Sequence, residues 1–138
     1  MIVSSEWNDQ ITKNLTKGCL DQLNKAGVTN VIQRWVPGTY ELPSAAQFAL
    51  EAKSELDAVI CIGCVIQGQT KHFDFVCEAA SQGVKDVSLK YNKPVVFCVL
   101  TDNTEQQSIE RSGGKLGNKG IEAAAAAIKM VHYQKSLS

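Results

Sequence analysis

The chain has 138 residues, enough for one domain with a hydrophobic core and too few for two ordinary ones. Fourteen Lys and Arg balance fourteen Asp and Glu, and no stretch gathers the basic ones into a footprint for nucleic acid or an anionic membrane. The longest apolar run, Ala58 to Ile66, falls far short of the roughly 18 residues of a membrane span, and no charged region precedes a signal-type core, so a cytoplasmic protein is expected.

Along the chain, "MIVSS" reads as a short first strand. Ile11, Leu15, Cys19 and Leu23 then recur at helical spacing from Asn8 or Asp9 onward, with Gly27 as a stop. "VIQRWV", Val31 to Val36, suits a strand closed by Pro37 and Gly38. A second helix is expected from Leu42 or Pro43 to about Ser54, with Ala46, Phe48 and Leu50 near its apolar stripe.

"AVICIGCVI" is apolar on both faces, as a central parallel strand covered by helices on either side should be. A third helix runs from His72 to about Lys90, and "PVVFCVL", Pro94 to Leu100, repeats the buried-strand signature. Thr104 or Asn103 can cap a short helix ended by Gly113 and Gly114, and a last helix starts near Asn118. The alternation β-α-β-α-β-α-β-α, with right-handed crossovers, predicts an α/β fold of one domain: a four-stranded parallel sheet sandwiched by helices.

The five cysteines are too dispersed for a disulfide framework. Cys61 and Cys64 form a C-x-x-C, but residues three apart in a strand face opposite ways, so neither a bridge nor a metal site is expected. "GGKLGNKG" follows a helix and lacks the P-loop pattern, and no dinucleotide, nucleophile-elbow or Cys-His protease motif is present.

In an open parallel sheet, ligands gather beyond the carboxyl ends of the strands. That rule selects four loops: "SSEWN", "PGTYE", "GCVIQGQTKH" and "LTDN". Gly68, Gln69 and Thr70 precede a helix, where backbone N–H groups can hold a phosphate; the alternative is a helix cap made by Thr70. His72, in the first helical turn, is either a proton-exchanging imidazole or a surface residue. His132 lies far from every loop and receives no role.

With "SEWN", "VPGTYELP", "GCVIQGQTKHFDFVCEAASQG" and "PVVFCVLTDNTEQQSIERSGGKLGNKGIEAA" in this order, nearly the whole chain resembles the lumazine synthase family. The resemblance implies a flavodoxin-like strand order 2-1-3-4. It also implies condensation of 5-amino-6-(D-ribitylamino)uracil with 3,4-dihydroxy-2-butanone 4-phosphate to 6,7-dimethyl-8-ribityllumazine, the penultimate step of riboflavin biosynthesis, with no metal and no organic cofactor.

Carried across by position, the resemblance puts Trp7 against the pyrimidine ring. Thr39, Tyr40 and Glu41 fall where the same substrate binds, with Glu41 toward ribityl hydroxyls, and Cys64, Val65 and Ile66 present backbone to the ring's polar edge. Phe97 would contact the substrate of a neighbouring subunit. Gln69, Thr70 and Arg111 would hold the phosphate of the butanone, His72 would move protons, and Lys119, with Lys115 as a weaker candidate, would lie near the site.

Three departures from the family pattern stand out: Trp7 in place of the commoner Phe, Gln67 in place of a basic residue, and the expectation of no added N-terminal strand. The family implies a homopentamer with sites between subunits, a sixty-subunit shell as the larger assembly, and association with riboflavin synthase. Competing readings are a riboflavin synthase of the same fold and a non-catalytic flavin-binding or shell-forming protein. Nucleic acid and membrane are not expected partners.

Overall fold

The computed structural model describes residues 1–138. Its main sheet consists of β1 (Ile2–Ser5), β2 (Gln33–Val36), β3 (Val59–Ile66) and β4 (Val95–Asp102), all parallel and ordered β2-β1-β3-β4. Helices α1 (Asp9–Lys25) and α5 (Lys119–Ser136) cover one face, and α2 (Leu42–Ala52) and α3 (His72–Tyr91) cover the other. The expected α/β sandwich and strand order are both present.

Alternation along β3 splits its side chains between two cores. Ile60, Ile62 and Cys64 pack with Leu15, Cys19 and Ala124, while Val59, Cys61 and the face of Gly63 meet Leu42, Ala46 and Val84. Because both faces are covered, the strand reads as a continuous apolar run instead of an alternating one. The same alternation puts Cys61 and Cys64 in different cores, and all five cysteines are free thiols.

Local chemistry sets the element ends. Gly27 (φ 81°) follows α1 in the left-handed region, as does Asn92 (φ 48°) after α3. Thr104 caps α4 (Glu105–Arg111) by accepting from the Gln107 amide, and Asn118 caps α5 by accepting from Gly120. Asn118 also donates to the carbonyl of Asn14 at 3.0 Å, and Gly120 lies so close to the Leu15 carbonyl that no side chain fits there. The helix pair α1–α5 is thus built on small residues, Ala123, Ala124 and Ala127 among them.

Four details differ from the sequence reading. Strand β2 begins at Gln33, since this outer strand pairs only with the short β1. A 3-10 turn, Thr39–Glu41, leads into α2. Phe48 is exposed, because it sits two positions, more than half a turn, from the buried pair Ala46 and Leu50. Finally, α4 stops at Arg111, and the glycines beyond form a small hairpin of β5 (Ser112–Gly114) and β6 (Gly117–Asn118), with Gly113 and Gly117 at positive φ. No helix is long and apolar enough to cross a membrane.

Candidate active site

The carboxyl ends of β1, β2, β3 and β4 lie at one edge of the sheet, followed by the loops that carry most of the candidate residues. The first two loops are stitched together through the backbone. The amide of Glu6 donates to the Val36 carbonyl at 2.8 Å, and that of Trp7 to the Pro37 carbonyl at 3.2 Å.

This stitching aligns Trp7 with the turn that bears Glu41. A Cβ placed on Gly38 would stand 3.0 Å from Glu41 Oε2 and 3.6 Å from Trp7 Cδ1, so the indole and the carboxylate flank the same glycine. Trp7 is 72% exposed and Tyr40 62% exposed, an unusual display of aromatic surface on two adjoining loops. Thr39 is the opposite: it is buried, its hydroxyl has no partner, and it presses on Gly63 of β3, where a Cβ would come within 2.6 Å.

Strand β3 runs past its neighbour. It pairs with β1 only as far as Ser4 opposite Ile62, but with β4 as far as Ile66 opposite Asp102. Residues Gly63 to Ile66 therefore present a backbone edge to the space beyond β1, beside the Trp7 loop. Asn8, left-handed at φ 58°, spans the gap and donates its side-chain amide to the Cys64 carbonyl at 2.9 Å. The carbonyl of Cys64, one of three residues expected to present backbone to a ring, is thus already engaged, while Val65 and Ile66 remain half-buried at the overhang.

The third and fourth loops meet at Asp102. Its carbonyl accepts from the Gln67 amide at 2.9 Å, and its carboxylate accepts from Ser108 Oγ at 2.7 Å and lies 3.9 Å from Arg111 Nε. Arg111 Nη1 also donates to the Gln107 carbonyl at 3.0 Å. The thiol of Cys64 donates to Ser108 Oγ at 3.4 Å, so a line of contacts joins Asn8, Cys64, Ser108, Asp102 and Arg111 across the carboxyl edge.

Gln69, Thr70 and His72 are exposed at the start of α3. Thr70 Oγ1 accepts from the His72 amide at 3.4 Å, a long bond within the turn, while Lys71 holds the N-cap position of α3 and no side chain caps the helix. A Cβ on Gly68 would meet nothing, so this loop is open to solvent at its tip.

Phe97 does not join this group within one chain, and Lys119 touches it only along a groove that ends at Asp102. Phe97 stands opposite Cys61 in mid-strand, five residues before Asp102, which at ~3.3 Å per residue is roughly 17 Å away. Lys119 starts α5 beside it, its carbonyl accepting from the Cys98 thiol and its ammonium paired with Glu122 at 2.8 Å. Both line a groove of about 420 Å³ between β4 and α5, and Phe97 also borders a second groove of about 280 Å³ between β4 and α3. Lys115 pairs with Glu110 at 3.1 Å on the exposed hairpin side.

Burial pushes the Cys61 and Cys98 thiols up to about 12 and that of Cys64 up to about 11, which leaves them protonated and inert as nucleophiles at neutral pH. No group of His, Cys, Asp and Glu side chains is placed to hold a metal ion. Three participants had no role in the sequence reading: Asn8 and Asp102, which lie in two of the selected loops, and Ser108, which lies outside them. The signal for Asn8 and Asp102 was their place in loops at the carboxyl ends of strands, and for Ser108 polarity alone.

The chain matches over residues 1–135 the family model described as 6,7-dimethyl-8-ribityllumazine synthase. It is 55% identical over 139 residues to the 6,7-dimethyl-8-ribityllumazine synthase of Flavobacterium johnsoniae, covering 99% of this chain and 73% of that protein. The enzyme of the same name from Cytophaga hutchinsonii is 53% identical over 132 residues, with 94% and 82% covered. That of Bacteroides fragilis is 45% identical over 139 residues, with 99% and 96% covered.

Proposed function

The chain belongs to the 6,7-dimethyl-8-ribityllumazine synthase family, and we propose how its loops carry out that enzyme's reaction. The protein condenses 5-amino-6-(D-ribitylamino)uracil with 3,4-dihydroxy-2-butanone 4-phosphate to 6,7-dimethyl-8-ribityllumazine, releasing phosphate and water, in riboflavin biosynthesis.

The pyrimidine lies between the Trp7 indole and the overhanging edge of β3. A flat heterocycle needs an aromatic face on one side and donors and acceptors at its rim, and the backbone of Ile66, which points to the β1 side as that of Ile60 does, supplies the second. Glu41, beside the same Gly38 as the indole, accepts from ribityl hydroxyls, with Thr39 and Tyr40 shaping the turn. The single observation that carries this reading is the approach of Trp7 and Glu41 to the same glycine.

The butanone phosphate sits between the Gly68–Thr70 amides and Arg111, two arms that both spring from Asp102. A guanidinium fork and helix-start amides together match a phosphate dianion. The uracil amine attacks the ketone and water leaves to give an imine. A carbon-bound proton is then lost as the C–O bond to phosphate breaks, and the ribitylamino nitrogen closes the ring with loss of a second water. His72 moves protons in these steps, while Arg111 and the loop amides hold the departing phosphate. The rest of the acceleration is orientation.

Phe97 serves the site of an adjoining copy, since its own lies too far away, and Lys119 lines the groove that joins Phe97 to Asp102. The β4 edge is unpaired and grooved on both faces, an exposed strand edge that a second chain would cover. We take a ring of five as the smallest assembly, with the sixty-subunit shell as the larger one.

The test of the reaction is direct incubation with both substrates, following lumazine fluorescence and phosphate release. No product from either would end the catalytic reading. Native mass measurement distinguishes ring from shell. Mixing Phe97→Ala and Trp7→Ala subunits should restore activity in a fraction of sites if residues are shared between copies, and no restoration would assign each site to one chain.

A further inference from the structure

Asp102 places a carboxylate at the mouth of the phosphate site, where an anion-binding enzyme gains nothing from it by attraction. Its side chain is only 12% exposed and is fixed at both ends of its reach. Ser108, fully buried, donates to Oδ2 at 2.7 Å and itself receives the Cys64 thiol, and the backbone of Asp102 is locked between β3 pairing and the Gln67 amide. The carboxylate cannot swing away.

Arg111 is held less tightly. The contact from Nε to Asp102 Oδ1, at 3.9 Å, is an ion pair without a hydrogen bond, and only Nη1 has a partner, the Gln107 carbonyl. A hydrogen-bonded carboxylate would orient the guanidinium; at this distance the charge outweighs the geometry. In a partly buried site that charge is poorly screened, so it attracts Arg111 and repels a phosphate dianion at the same time.

We propose that Asp102 is the counter-ion that competes with phosphate for Arg111, drawing the guanidinium back and keeping inorganic phosphate from lingering after it leaves the butanone. This rests on the reading of Arg111 as a phosphate ligand. Asp102 acts through Arg111 and is a positioning residue: the bound state is stabilised by the guanidinium and opposed by the carboxylate, and release follows from the balance.

Asp102→Asn removes the charge and keeps an oxygen to accept from Ser108; Asp102→Thr removes it with a different shape and serves as a second variant should the first fail to fold. Inorganic phosphate is the probe, as an inhibitor competing with the butanone phosphate. Its inhibition constant should fall about three- to tenfold in the charge-free variants, the KM for butanone phosphate should fall in parallel, and the KM for the pyrimidine should stay as it was. An inhibition constant that is unchanged or raised overturns the proposal, as does an equal change in both KM values, which would mark a merely structural effect. Arg111→Gln separates the two layers. If it leaves phosphate inhibition unaltered, the phosphate reading and this proposal fall together; if it weakens inhibition while Asp102→Asn does not strengthen it, the proposal alone falls.

Discussion

The side-chain amide of Asn8 donates to the carbonyl of Cys64 at 2.9 Å, joining residues 56 apart in sequence. Asn8 is left-handed, a conformation that few residues other than glycine adopt without strain, so one residue provides both the turn after β1 and the strap to β3. Asn8→Ala should lose both and cost about 1–3 kcal/mol of stability. Asn8→Gly keeps the turn and should cost less, while raising the KM for the pyrimidine as much as Asn8→Ala does. Thermal melting and steady-state kinetics on the pair check this; equal melting temperatures would mean that the backbone conformation carries no strain.

Gly63 leaves the space that the Thr39 side chain fills. Gly63→Ala would drive a methyl group to 2.6 Å from the Thr39 hydroxyl and 3.1 Å from Leu42 Cδ1, and should destabilise the fold by about 1–3 kcal/mol. Adding Thr39→Ala should recover part of that loss, because it removes the nearer clash together with a buried hydroxyl that has no partner. Strictly additive effects in a double-mutant cycle would count against the contact.

The buried thiols set an alkaline limit. Burial raises Cys61 and Cys98 from 9.0 to about 12 and Cys64 to about 11, so the unfolded chain releases these protons before the folded one does. Their contribution is fully present below pH 9 and disappears as pH rises toward about 12. In reducing buffer the melting temperature should fall steeply above pH 9, and Cys61→Ala should flatten that slope. A profile identical to that of the parent would show that the thiol does not drive it.

Arg111 and His72 should separate kinetically. Arg111→Gln should raise the KM for butanone phosphate by roughly 10- to 100-fold, the loss of a charge-assisted fork, and leave the pyrimidine KM alone. His72→Ala should lower kcat by about 10- to 100-fold with little change in either KM, at the modest end for proton transfer because orientation does most of the work. A KM effect from His72→Ala would instead assign it to binding.

The fold was legible because β3 and β4 are covered on both faces, which writes unbroken apolar runs into the chain, and because glycines and capping residues punctuate the helices. The extent of β4 was not: Thr101 and Asp102 look like loop residues, and they are strand only because Val65 and Ile66 continue alongside them. Trp7 and Glu41 could be placed on neighbouring loops from strand order, but their approach to Gly38 depends on two backbone bonds that no spacing encodes. The roles of Asn8, Ser108 and Asp102 stayed hidden for a common reason: a polar residue near a loop reads as solvated until its distant partner is known. Phe97 reads as core from its apolar run and is 38% exposed in three dimensions; that run alone does not indicate an outer strand, which the order 2-1-3-4 does.

The four-residue projection of β3 beyond β1 has a consequence for how such a pocket can change. What it offers is peptide groups, which every substitution at Val65 or Ile66 except proline would retain. Discrimination between heterocycles at the proposed rim would therefore be insulated from ordinary point mutation, and redesign would have to lengthen or shorten a strand rather than exchange a side chain.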